Sequence, residues 1–208
     1  MDKIIFLGYE MLAPIVPFLV VFMMSRMAYK RKGFLFSRKH FFVMLVLYIY
    51  IVGVYHLTGA GTIYDGIRYK LELRQDQINV IPFSLDIDIV AYFLNIFLFV
   101  PLGLLAPIIW KSMNKLTNII GIGFFFTLLI EMSQLLNHRR TDIDDILLNV
   151  LGAVIGFGFF KLWDRFTNSK FQLNNSAAVE LPIYIGIIFV GRFLLFNEMG
   201  LAKLLYNF

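Results

Sequence analysis

Long apolar runs separated by short charged clusters organise this chain. They read as membrane-spanning helices at about Ile4 to Ala28, Phe41 to Thr58, Ile89 to Trp110, Leu116 to Leu136, Ile143 to Trp163 and Leu181 to Leu195. Each run approaches the roughly 20 residues that a helix needs to cross the hydrocarbon core of a bilayer. The first is too long for a signal peptide, contains Glu10, Pro14 and Pro17, and is followed by a basic stop-transfer cluster, so it reads as a retained helix. One connection, Gly59 to Asp88, has a different rhythm: Ile67, Tyr69, Leu71 and Leu73 alternate with Arg68, Lys70, Glu72 and Arg74. A period of two argues for a strand. Gln75 to Gln77 then offer a polar turn before Ile78 to Pro82. The pattern predicts an all-α membrane bundle of about six transmembrane helices, with a small β-hairpin in the outer loop between the second and third; an interfacial loop without a sheet is the alternative for that segment. Thr167 to Ala178 is polar enough for an inner linker.

Composition agrees with the spans. The 208 residues are 59% hydrophobic and only 16% charged, and the mean hydropathy is +0.75, whereas soluble domains average about 45 to 50% apolar and about 25% charged. Helices and short connections use up the length, so residues 1–208 form a single integral membrane domain with its outer loop at 59–88. No cysteine is present, which excludes disulfides, thiol nucleophiles and Cys-ligated metals or clusters. The net charge of +5 is topological: Arg26, Lys30, Arg31, Lys32, Arg38 and Lys39 crowd the first connection, and further lysines and arginines follow the third and fifth spans. By the positive-inside rule that side is cytoplasmic, which places both termini outside the cell membrane and Trp110 and Trp163 at inner headgroup level. The partners of this charge are membrane lipids, not nucleic acid.

With that orientation the scarce polar residues of the spans gather toward the outer leaflet: Glu10, Asn95, Glu131, Gln134, Arg139, Asp142, Asp145 and Asn149, with Arg192 deep in the sixth span. Ionisable residues at membrane depth are costly and usually face a bundle interior or a wet cavity. Arg139, Asp142, Asp145, Asn149, Gly152 and Gly156 recur at steps of three or four, hence on one helical stripe, and Glu131 and Gln134 share another. The glycines suit close helix approach. A polar pocket open to the outer surface follows, built from Asn95, Glu131, Gln134, Arg139, Asp142, Asp145, Asn149 and Arg192. Plainer readings stand beside it. Thr141 and Asp144 form a capping-box variant, Arg139 pairs with Glu131 or Asp142 or else contacts a ligand, and Glu10 is interhelical glue. Arg192 needs an acid, which Glu131, Asp142 or Asp145 can supply.

Clustered carboxylates and amides suit a hard divalent cation, and arginines suit phosphate. No G-x-S-x-G, H-E-x-x-H or Walker loop is present, so the reading inclines to a protein that is not an enzyme, without a cofactor or resident metal. Carboxylates alone can still perform acid–base work.

Asn95-x5-Pro101-x-Gly103, Glu131-x2-Gln134 and Arg139-x2-Asp142-x2-Asp145-x3-Asn149-x2-Gly152, preceded by Asn79 to Phe83 (NVIPF), together resemble the signature of the VanZ-like membrane protein family. The likeness covers roughly Asn79 to Gly156, within a family core at about 41–165; a doubled Arg139-Arg140 departs from the pattern, and the spacing to Asp142 favours Arg139 for the family position. The resemblance implies association with resistance to teicoplanin and related lipid-bearing glycopeptides in Gram-positive bacteria, with no established reaction. It also suggests a lipoglycopeptide or a lipid-linked envelope precursor as a partner. The function expected is reduced susceptibility to lipoglycopeptides through binding of an amphiphile or envelope-lipid headgroup in the outer pocket. The alternative is a membrane enzyme acting on a lipid-linked phosphate or cell-wall lipid, with carboxylates holding a divalent cation. A third reading makes the constellation an interhelical lock.

Overall fold

A computed structural model describes residues 2–31, 38–70, 77–84, 88–167 and 180–196 of the protein. It is an all-α bundle. In chain order the helices are α1 (Asp2–Leu12), α2 (Ile15–Arg31), α3 (Arg38–Thr58), α4 (Ile63–Arg68), α5 (Ile89–Ile109), α6 (Leu116–Gln134), α7 (Ile143–Thr167) and α8 (Glu180–Leu195), with two-residue strands β1 (Ile78–Asn79) and β2 (Thr141–Asp142). Five helical segments are long and apolar enough to cross a membrane: Ile4–Arg31, Lys39–Arg68, Ile89–Ile109, Leu116–Asn137 and Ile143–Thr167. The sixth expected span corresponds to α8, whose 16 residues reach about 24 Å at 1.5 Å per residue, short of the hydrocarbon thickness.

The chain separates into two compact units. Unit 1 comprises Met1–Leu73, Ser133–Arg139 and Ile183–Phe208, and unit 2 comprises Arg74–Met132 and Arg140–Pro182. Unit 1 packs aromatic residues: Phe18 lies against Tyr48 and Tyr184, with ring centroids 4.7 and 5.7 Å away. The Tyr55 hydroxyl donates to the Ile185 carbonyl at 3.1 Å. Gly191 on α8 faces Pro14 and Pro17 at the junction of α1 and α2, where a Cβ would collide with the proline ring.

Unit 2 is built on α5 and α7, which run parallel. Where α7 passes α5, Gly152 lies under the Ile96 carbonyl and Gly156 under the Val100 carbonyl, while Gly103 of α5 lies under the Ala153 carbonyl; a Cβ at any of the three would strike that oxygen. Apolar attraction between helices is weak in lipid, so backbone approach of this kind, with its dispersion and Cα–H···O contacts, supplies the association. α6 packs beside α7 through Gly123, which sits against Val150 and Ala153. α5 is fixed at its start by Asp88, whose carboxylate accepts from the Val90 and Ala91 amides at 3.0 and 3.1 Å. The same parallel order appears in the strands: Ile78 pairs with Thr141 and Asn79 with Asp142.

The connection before α5 differs from the expected hairpin. Ile67 and Arg68, assigned by alternation to a strand, belong to α4, and Ile78–Asn79 pairs in parallel with Thr141–Asp142 where an antiparallel neighbour was expected. The cause is local: Thr62 and Asp65 form a reciprocal capping box, with the Thr62 N–H donating to Asp65 at 2.7 Å and the Asp65 N–H to the Thr62 hydroxyl at 3.3 Å. That satisfies the first-turn donors and starts a helix. Residues 71–76 of the expected hairpin, and all of the expected polar linker after Thr167, residues 168–178, lie outside the described residues. Trp110 also departs from expectation. It is fully buried and its indole N–H donates to Glu180 at 2.7 Å, whereas Trp163 is half exposed as an interfacial indole would be.

Candidate functional site

The polar residues of unit 2 collect where α5 and α7 begin and α6 approaches its end. Asp142 immediately precedes α7 and accepts from the Asp144 N–H at 3.0 Å, so Asp142 acts as the cap in place of the expected Thr141–Asp144 box. The Thr141 hydroxyl is turned to the Glu131 carbonyl at 2.9 Å, and the Asp142 N–H donates to the Glu131 carboxylate at 3.1 Å. Asn79 presents its amide to both Asp142 oxygens at 3.2 and 3.3 Å. The strand pairing and this bond together hold the NVIPF segment onto the start of α7.

Asp144 is buried and accepts from the Phe83 N–H at 2.9 Å and the Tyr92 hydroxyl at 2.5 Å. Phe83 has a left-handed backbone, φ 53°, so this carboxylate stabilises a turn conformation that a non-glycine residue seldom adopts. Asp145, on the next face, accepts from the Asn95 amide of α5 at 2.5 Å, and it lies within electrostatic reach of Glu131, as does Asp142. One turn further along α7, the Asn149 amide donates to the Thr127 hydroxyl of α6 at 2.9 Å. Asn149 is only 2% exposed, and its side-chain carbonyl oxygen has no hydrogen-bond partner. A buried carbonyl left without a donor is costly, about 1 to 3 kcal/mol.

Asn95, Glu131, Asp142, Asp145 and Asn149 therefore come together in unit 2. Gln134, Arg139 and Arg192 belong to unit 1. Gln134 and Arg139 both donate to the Thr58 carbonyl, Gln134 at 2.7 Å. The Arg139 guanidinium lies across Gly59, whose φ of +63° and missing side chain make room for it. Arg192 does not draw its acid from Glu131, Asp142 or Asp145. It pairs with Glu10 at 2.7 Å and donates to the Ala60 carbonyl at 2.6 Å, while His56 meets the other Glu10 oxygen at 2.6 Å. Glu10 and Arg192 are both buried, and Glu10 is the ion-pair partner, more than glue.

Asp144, Tyr92 and Thr127 join this cluster although they are not among the residues expected to line the pocket. Thr127 carries a signal in the sequence, because it stands four residues before Glu131 on the same face and is the one polar side chain in the apolar middle of α6, residues 119–130. Among the described residues no three acidic or histidine side chains are arranged to hold a metal ion.

Several apolar spanning helices, with an acceptor-rich cluster at one end of a glycine-packed helix pair, define a multi-pass helical membrane protein. The chain belongs to the VanZ/LLP1 family, whose model matches residues 15–164. No curated protein and no solved structure matches it.

Proposed function

We propose that this VanZ/LLP1 member lies in the cell membrane with the start of α7 toward the outside. There it lowers susceptibility to teicoplanin and related lipoglycopeptides by binding an amphiphile or envelope-lipid headgroup at the unit 2 cluster. The observation that carries this reading is the buried, unpartnered carbonyl of Asn149 beneath carboxylates held only by neutral donors in the case of Glu131, Asp142 and Asp144. A purely structural lock explains Asp144, which ties the Phe83 turn to α7. It leaves the Asn149 acceptor unexplained. Of the arginines that the enzyme reading would use for phosphate, Arg192 is committed to Glu10 and Ala60.

The test is Asp142→Asn and Asp145→Asn in cells exposed to teicoplanin, with membrane levels of each variant measured alongside. Protection should disappear at unchanged protein level. Protection and level falling together favours the lock, and full protection at normal level removes the cluster from function.

A further inference from the structure

Within unit 2, among the described residues, no lysine or arginine is ion-paired to Glu131, Asp142 or Asp144. The donors that reach them are the Asn79 amide, the Tyr92 hydroxyl and backbone N–H groups, which stabilise negative charge without cancelling it. Uncancelled carboxylates at the end of spanning helices favour a cation.

An independent observation lies beneath them. Asn149 follows Asp145 by four residues on α7, and its amide is tied to Thr127, four residues before Glu131 on α6. Its carboxamide thus sits on the α6–α7 seam one turn under the carboxylates, 98% buried by complement of its 2% exposure, with a carbonyl that receives no donor.

The donor set selects the kind of cation. A divalent metal needs several oxygens converging at about 2.0 to 2.6 Å, and no such group of acidic or histidine side chains occurs among the described residues. A guanidinium prefers a bidentate carboxylate face, whereas Asp142 and Asp144 have both oxygens engaged. A quaternary ammonium has no N–H to give the Asn149 carbonyl. A primary ammonium carries a full charge and three rotatable N–H donors, which matches scattered single acceptors plus one neutral carbonyl.

We propose that the unit 2 cluster binds the primary ammonium group of an amphiphile, with the Asn149 carbonyl as one acceptor and Asp142 supplying the charge. This rests on the reading of the cluster as the amphiphile site.

The full chain in phosphatidylglycerol nanodiscs is titrated with short-chain phosphatidylethanolamine, with phosphatidylcholine as its trimethylated counterpart, with octylammonium and with Mn²⁺ alone. Phosphatidylethanolamine should bind at least tenfold more tightly than phosphatidylcholine, and Asn149→Leu combined with Thr127→Val should reduce that preference about tenfold at unchanged melting temperature. Competition by octylammonium would support recognition of the ammonium from any source; selectivity for phosphatidylethanolamine without it would support a phospholipid source.

Equal binding of the two phospholipids, or stoichiometric displacement by Mn²⁺, would overturn the ammonium assignment, and this comparison on the unaltered protein does not depend on any variant folding. If that happens while Asp142→Asn still abolishes teicoplanin protection, the site reading stands alone. If neither binding nor protection responds to Asp142→Asn, both fall.

Discussion

The two units treat buried acid in opposite ways. In unit 1, Glu10 meets a guanidinium on one oxygen and His56 on the other, and the guanidinium is completed by a backbone carbonyl. In unit 2, Glu131, Asp142 and Asp144 meet amide, hydroxyl and backbone donors. A compensated buried pair cancels its own charge and leaves none for a ligand, while its Coulomb gain roughly offsets its desolvation. Glu131, Asp142 and Asp144 have no such cation paired with them among the described residues. The stretch matched by the family, 15–164, contains the unit 2 cluster and neither Glu10 nor Arg192. The two clusters therefore differ in what each acid is bonded to, a guanidinium and a histidine in unit 1 and neutral donors in unit 2.

The largest effect expected comes from breaking the lock on one side. Arg192→Met leaves Glu10 buried with only His56 beside it, which should cost about 3 to 5 kcal/mol and show as a sharply lowered melting temperature in detergent. Glu10→Gln combined with Arg192→Met removes both charges and should recover most of that loss. If the double variant is as unstable as the single one, the pair is not the compensated unit described here, and the contrast between the two units loses its basis.

A smaller loss is expected at Asp144. Asp144→Ala strips the acceptor from the Phe83 N–H and the Tyr92 hydroxyl, and hydrogen bonds to a charged group contribute about 1.5 to 3 kcal/mol. The loss should appear in the same melting assay. Teicoplanin protection measured at matched protein level should persist, since Asp144 is the structural member of the cluster. Lost protection at matched level would move Asp144 into the binding machinery and sharpen the comparison in the other direction.

Much of this was legible in the linear pattern. Helix positions, the Asp145–Asn149–Gly152–Gly156 stripe and the approach of its glycines to a neighbouring helix all follow from a period near 3.6 residues, and the structure places Gly152 and Gly156 under α5 carbonyls. What periodicity cannot reveal is partner choice across long separations. Arg192 finds Glu10 182 positions away, although acids nearer in sequence were equally plausible by charge. β1 and β2 are two residues each, too short for any alternation to register. At α4, a capping box overrode a genuine alternating pattern, because satisfied first-turn donors act locally and alternation pays off only with a partner strand. Trp110 looked interfacial by position, but Glu180 offers its N–H an acceptor inside unit 2, and a buried indole with a partner needs no headgroup.

The smallest change in stability is expected where the change in function should be large. Asn149 and Thr127 form a buried polar pair whose one hydrogen bond leaves the Asn149 carbonyl without a donor. Replacing both members by apolar groups of similar shape removes the bond and the orphaned acceptor together, and such exchanges are nearly neutral or stabilising. Asn149→Leu with Thr127→Val should therefore melt within about 0.5 kcal/mol of the unaltered protein or above it, on the scale of changes that disturb no special feature. Teicoplanin protection should nonetheless fall toward that of cells lacking the protein. Natural sequences sit near a stability threshold and tolerate locally unfavourable groups where function requires them, so a variant that is stable and inactive would identify this carbonyl as functional. Clear destabilisation with protection intact would make the pair a structural contact like Glu10 and Arg192, and the difference between the two units would then be one of bonding partners alone.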